Sequence, residues 1–286
     1  MFVYLVVAAI AWGTGGAVAS LLYQESGLGP VAVSWWRFVV GAALLAAFIR
    51  PRDLRRQPRA LLLGLGMAIS QTAYFAAVGR SGVAVATVIT LGVSPVLVAI
   101  GERLLLAERV SRLQAAILVL AIGGLGLLVL AGDGGSGGTG RASVTGVALA
   151  LLSGATYAGV ILIQRANGSG ADPYRGALAS FVIGAVCLLP LALLEGIWPE
   201  KGVAPTIWML LYLGAVPTAL AYGLFFAALG RVKATTATVV ALLEPVTAAA
   251  IGVGLMHERL TVAAATGALV LLVAVACYPV VGHRVR

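Results

Sequence analysis

Charge is what this sequence most lacks. Only 10% of its 286 residues are Asp, Glu, Lys or Arg, against 61% hydrophobic, where a soluble domain carries about a quarter charged. A water-soluble fold is excluded, because too few polar groups are available to cover the apolar surface. Cysteine and histidine are equally scarce. Cys187 and Cys277 both lie inside apolar runs, so no structural disulfide is expected. The two histidines, His257 and His283, lie near the ends of runs and fit no metal-ligand spacing, so neither a metal nor any other cofactor is called for. No Walker sequence is present. GDGGSG (132–137) formally fits a dinucleotide-binding pattern, but it follows an apolar run rather than a strand. No serine, histidine and carboxylate set suggests a hydrolase.

Apolar runs are there in abundance, at roughly 2–23, 31–49, 59–79, 83–104, 112–131, 143–164, 174–195, 205–229, 233–255 and 261–281. Each matches the length of about 20 residues that a membrane-crossing helix needs. None shows the alternation of a barrel strand. Lipid admits only those two solutions. The expected fold is therefore an all-α polytopic membrane protein of ten transmembrane helices. The N-terminal run resembles a signal peptide but lacks its basic start, and it reads as a retained first span.

The net charge of +9 does not point to nucleic acid, because the basic residues sit in short stretches between runs. With the N-terminus inside, the inner loops and tail hold Arg50, Arg52, Arg55, Arg56, Arg59, Arg103, Arg109, Arg112, Arg165, Arg175, Arg231, Lys233, Arg284 and Arg286. The outer loops hold Arg80, Arg141, Lys201 and Arg259. That bias predicts cytoplasmic termini in a cell inner membrane.

The chain also repeats itself. FAAVGRSGVAVATV (75–88) matches FAALGRVKATTATV (226–239) at eight of fourteen positions, AERV (107–110) matches HERL (257–260), and RFVVGA (37–42) matches SFVIGA (180–185). Residues 1–131 and 143–286 then form two five-helix repeats joined by a Gly/Ser-rich linker, 132–142. Five is odd, so the second repeat enters the membrane inverted, a plan that secondary transporters use with the substrate site near the midplane.

Most charges lie at the ends of runs; Arg37 and Glu244 do not. A charge at depth is costly and faces the bundle interior or a cavity. Glu244 has three readings: a structural pair with Arg37 or a backbone group, a proton carrier, or a ligand for a cationic group. Arg37 reads first as its buried charge partner. Pro95, Pro217 and Pro245 fall mid-run, where each bends a helix and frees a carbonyl; they are candidate bends or gates. Trp12, Gln71, Tyr74, Tyr157 and Tyr222 lie too deep for an interfacial belt of the kind Trp35, Trp36, Trp198 and Trp208 suggest. Together with Glu244 they form a candidate cavity for a small amphipathic solute.

AWGTGG (11–16), the Gly79-Arg80 and Gly230-Arg231 turns, LLEPV (242–246) and the Glu-Arg pairs at 108–109 and 258–259 resemble the drug/metabolite transporter superfamily in its EamA-like branch. The resemblance covers nearly the whole chain. It implies ten helices, cytoplasmic termini, a monomer and a central cavity lined by spans 1, 3, 4, 6, 8 and 9. The family's Glu-Pro element falls on Glu244-Pro245, while the first repeat carries Ser94-Pro95 instead. The expected activity is secondary export of small amphipathic metabolites, amino acids first, by alternating access, with protons as a candidate coupled ion. Broad drug efflux is the alternative. A membrane-embedded enzyme or a non-transporting partner subunit fits the sequence less well.

Overall fold

The computed structural model describes residues 1–49, 59–108, 110–131, 143–167, 172–255 and 260–284. The expected linker, 132–142, lies outside them, as do His257 and Glu258-Arg259. The described residues form helices: α1 (Phe2–Ser26), α2 (Pro30–Phe48), α3 (Ala60–Leu105), α4 (Arg112–Leu130), α5 (Val144–Ala166), α6 (Pro173–Glu195), α7 (Val203–Gly214), a π-helical segment (Ala215–Leu220), α8 (Ala221–Leu229), α9 (Ala234–Ala241), α10 (Leu243–Leu255) and α11 (Val262–Arg284).

Their ends follow local chemistry. Pro30 and Pro173 open α2 and α6 at positions where no backbone donor is needed. Ser111 and Gln114 form a reciprocal capping box at α4. Ser143 accepts from the Gly146 N–H at the start of α5, and Gly27 ends α1 in the left-handed conformation.

Among the described residues, eight helical stretches are long and apolar enough to cross a membrane, counting α7 through α8 and α9 through α10 as one each, and Val262–Tyr278 is a shorter apolar helix. One of the eight is α3, whose 46 residues would extend about 69 Å if straight. That is more than twice the hydrocarbon thickness of about 30 Å. It does not run straight: Gly82 turns out of the helix at φ 78°, ψ 159°, a conformation glycine alone adopts freely. The two arms, 60–81 and 83–105, are each long enough to span. The described residues thus hold ten segments, matching the ten apolar runs.

The main pairings are α3 with α5, α4 with α11, α2 with α6, α3 with α6, and α1 with α8 and α10. Small residues set how near the backbones come. At the α4–α11 crossing, a Cβ on Gly267 would lie 2.4 Å from the Leu128 amide nitrogen and 2.7 Å from the Gly124 carbonyl oxygen. At the α1–α10 crossing, a Cβ on Gly13 would lie 2.7 Å from the Glu244 carbonyl oxygen; at the α5–α3 crossing, one on Gly154 would lie 2.9 Å from that of Thr90.

Glu102 adds a third buried charge to the two expected from sequence. Its place near the end of α3 reads as a helix-end carboxylate, yet it is fully buried. Its oxygens accept from the backbone N–H groups of Ala234 and Thr235 and from the Thr235 hydroxyl. A carboxylate from one half of the chain thereby caps α9 in the other, where the helix dipole favours negative charge. Close by, Arg165 pairs with Glu108 at 2.8 Å and donates to the Leu229 carbonyl at 3.3 Å.

Two stability outcomes are expected. Gly267→Val, which places side-chain atoms against backbone, should cost about 1–3 kcal/mol, whereas Gly123→Ala, with nothing within 4 Å of its Cβ, should melt like the parent. Glu102→Ala strands buried donors at about 1–3 kcal/mol each, and Glu102→Gln, which keeps one acceptor, should lose less. Thermal unfolding in detergent, followed by tryptophan fluorescence, reads both series.

Candidate functional site

The π-helical segment is the local feature on which the site is built. Pro217 has no N–H to offer the Leu213 carbonyl four residues earlier. The Thr218 hydroxyl takes that place, donating to Leu213 O at 2.7 Å. Thr218 Oγ1 in turn accepts from Arg37 Nε at 3.2 Å. Gly41 lies directly beneath, where a Cβ would meet Thr218 Cγ2 at 2.9 Å, and a Cβ on Gly15 would meet Pro217 at 2.9 Å. Spans 1, 2 and 8 are thus drawn together at the bulge, with Arg37 held at the junction by one of its three nitrogens.

Trp12 of α1 is 7% exposed. Its ring packs against Tyr222 and Phe225 of α8 at centroid distances of 5.0 and 5.1 Å. Tyr222 continues the cluster to Phe181 at 5.5 Å and Phe226 at 5.9 Å. Phe181 stacks on Phe38, beside Arg37, at 5.5 Å. The Trp12 indole N–H is buried with no hydrogen-bond partner among the described residues.

Span 9 breaks at Leu242, between α9 and α10. Pro245 lacks the N–H that would serve the Ala241 carbonyl, and the break falls within that turn. Glu244 therefore stands in the first turn of α10, half-buried. No hydrogen bond or ion pair within 4 Å joins its carboxylate to a described residue. It lies within electrostatic reach of Arg37, Tyr74, Tyr157 and Tyr222. The Tyr74 hydroxyl bridges the two arms of α3 through Thr87 at 2.8 Å. Tyr157 of α5 interacts with Tyr222. Gln71 is half-buried one turn from Tyr74, and its amide has no hydrogen bond to another described residue.

Trp12, Arg37, Tyr74, Tyr157, Tyr222 and Glu244 therefore converge from α1, α2, α3, α5, α8 and α10, while no hydrogen bond among the described residues joins Gln71 to them. The prolines differ in effect. Pro217 lies in a π-bulge and Pro245 just after a helix break, while Pro95 leaves α3 helical. Next to Pro95, the Ser94 hydroxyl is shared between the Thr90 carbonyl at 2.8 Å and the Gly154 carbonyl at 3.2 Å. Sequence reading missed Thr218, Phe181 and Phe225. Thr218 carried a usable signal, since a hydroxyl directly after a mid-span proline is well placed to reach the carbonyl that the proline strands.

Among the described residues no cluster of His, Cys, Asp and Glu could hold a metal. What the site offers is a mixed-charge, aromatic cluster at mid-span whose polar groups are incompletely used by the described residues.

Comparison with known proteins adds the family. The sequence profile of the EamA-like transporter family matches residues 1–130 and 144–278. The uncharacterized transporter YwfM of Bacillus subtilis is 33% identical over 90% of this chain and 86% of its own. The threonine/homoserine exporter RhtA of Escherichia coli K12 is 30% identical over 91% of this chain and 84% of its own. A crystal structure at 18% identity superposes with a TM-score of 0.81 over 98% of this chain and 97% of that one, a likeness of fold. With its helical membrane architecture and its interior polar site, the chain belongs to the EamA-like transporter family.

Proposed function

We propose that this protein exports small amphipathic metabolites, amino acids first among them, across a bacterial inner membrane by alternating access, and is not an enzyme. The observation that carries the reading is Glu244, a mid-span carboxylate with no hydrogen bond or ion pair from the described residues. A charge is retained at that depth when it faces a cavity and has work there. The relation to RhtA makes amino acids the first class to try.

Two inverted repeats, 1–131 and 143–286, supply the alternation. Their contacts run in parallel. α1 meets α8 through Trp12 and Tyr222 and meets α10 at Gly13. α5 meets the first arm of α3 through Ser153 and Ser70, whose hydroxyls lie 3.3 Å apart, and meets the second arm at Gly154.

The hydrogen bonds are distributed unequally between the two ends of the bundle. At the Glu102 end they tie α3 to α9 and α5 to α8. At the Gly82 end they stay within two separate groups. α2 joins α6 where the Ala32 N–H donates to Glu195, and α1 joins the segment before α7 where the Glu200 N–H donates to the Ser26 carbonyl. On the other side α3 joins α5 through Ser81 and Ser143, and α4 joins α11 through Thr261 and the Ala131 carbonyl. Among the described residues no hydrogen bond or ion pair crosses between these groups at that end. This arrangement supports a firmer polar junction at the Glu102 end than at the Gly82 end.

Counterflow in proteoliposomes tests the proposal. Vesicles preloaded with one unlabelled amino acid should take up its labelled form saturably for a subset of amino acids, relative to empty vesicles. Glu244→Gln should retain the parent melting temperature while cutting the initial rate about tenfold or more. Equal rates in a well-folded Glu244→Gln variant remove Glu244 from the mechanism.

A further inference from the structure

The transport reading leaves open what the mid-span charges recognise, and the inference that follows rests on that reading. Arg37 and Glu244 have opposite charges and share one region of the interior, yet they do not pair. No nitrogen of Arg37 comes within 4 Å of the Glu244 carboxylate. Two such charges in a low-dielectric interior would ordinarily collapse onto each other, because each pays a large desolvation cost alone. Here each side chain is held on its own span. Arg37 is anchored through Nε to Thr218, itself fixed to the Leu213 carbonyl of the bulge. Glu244 is carried by a different span, at a helix break. Thr218 uses one edge of the guanidinium. Its two terminal nitrogens have no partner among the described residues, and they form the fork that suits a carboxylate. The Trp12 indole N–H, buried and unpartnered, is a further donor in the same aromatic cluster.

We propose that Arg37 and Glu244 are the two poles of a zwitterion site, Arg37 receiving the substrate's carboxylate and Glu244 its ammonium group. The half-buried Tyr222, backed by the buried Trp12 and Phe225, forms the aromatic wall beside them. The charges decide between cargo classes. A cationic drug would neutralise Glu244 and leave Arg37 uncompensated, and a simple carboxylic acid would do the reverse. A molecule bearing both groups satisfies both poles at once. An α-amino acid is the smallest such cargo, and its side chain would lie against the aromatic wall.

Binding of the common amino acids to the detergent-purified full-length protein is measured by scintillation proximity. The tightest binder is then compared, by competition, with its decarboxylated amine and its deaminated acid. Each truncated analogue should compete about tenfold to a hundredfold less well, the worth of one lost charge-assisted contact. In Arg37→Gln the disadvantage of the amine should vanish while that of the acid persists; in Glu244→Gln the pattern should invert. A purely structural Arg37 would lower all three affinities in proportion and leave their ratios unchanged, which overturns the assignment. If Arg37→Gln fails to fold, the analogue series on the unaltered protein still decides: an amine or an acid that competes as well as the amino acid overturns the site. Binding by no amino acid overturns the export reading together with it. Binding without analogue discrimination overturns the zwitterion site alone.

Discussion

Everything in this molecule answers to one constraint: inside lipid, a polar group must find its partner within the protein. The chain meets it locally wherever it can. The carbonyl orphaned by Pro217 is recovered by the next residue's hydroxyl. The first turn of α9 is recovered by a carboxylate from a distant helix. Arg165 answers both a carboxylate and a main-chain oxygen. Satisfaction is not complete: Ser34, Gln164, Thr206 and Tyr278 keep buried polar atoms without a partner among the described residues. Glu244, the outer nitrogens of Arg37 and the Trp12 indole come from different spans and belong to one region. Under the proposed export reading, it is there that a substrate would complete the set.

The same constraint explains why the backbone departs from regular helix where it does. A π-bulge and a helix break are expensive against hydrocarbon. They are tolerable where a neighbouring helix or a polar space takes up the released groups. The bulge at Ala215–Leu220 and the break at Leu242 flank the convergence of charged and aromatic side chains; glycines on α1 press against both, and Gly41 on α2 presses against the bulge. Irregular backbone and unspent polarity are two faces of one local design.

The fold was largely legible in the sequence because its signals are long-range averages. Ten apolar runs, bounded by Gly, Pro and Arg, leave few other readings, and the structure places helices at those runs with ends shifted by a few residues. Gly82 was visible as part of a Gly-Arg-Ser-Gly joint, although nothing in the pattern showed that the reversal would take so little chain. The individual site residues were legible for a different reason: a Glu, an Arg or a Gln in an apolar run is conspicuous by composition alone. Their neighbours were hidden for the converse reason. Phe181 and Phe225 look like any lipid-facing phenylalanine, and only packing separates them. Glu102 was obscured by its position near a helix end, where charge is ordinary. Its burial depends on α9 arriving from another part of the chain, which no local pattern encodes.

The tight reversal at Gly82 has a consequence for the bilayer itself. The two arms of α3 leave almost no chain beyond the surface, and each is about 33–35 Å long. Arg80 stands at the top of the first arm with its guanidinium turned back to the Ala76 carbonyl, and Arg59 stands at the foot. The hairpin therefore acts as a ruler with charged marks at both ends. A thicker membrane would have to thin around it or draw its ends inward, at a fraction of a kcal/mol per ångström. With no slack loop to absorb the mismatch, the hairpin holds to the hydrocarbon thickness that suits its own length.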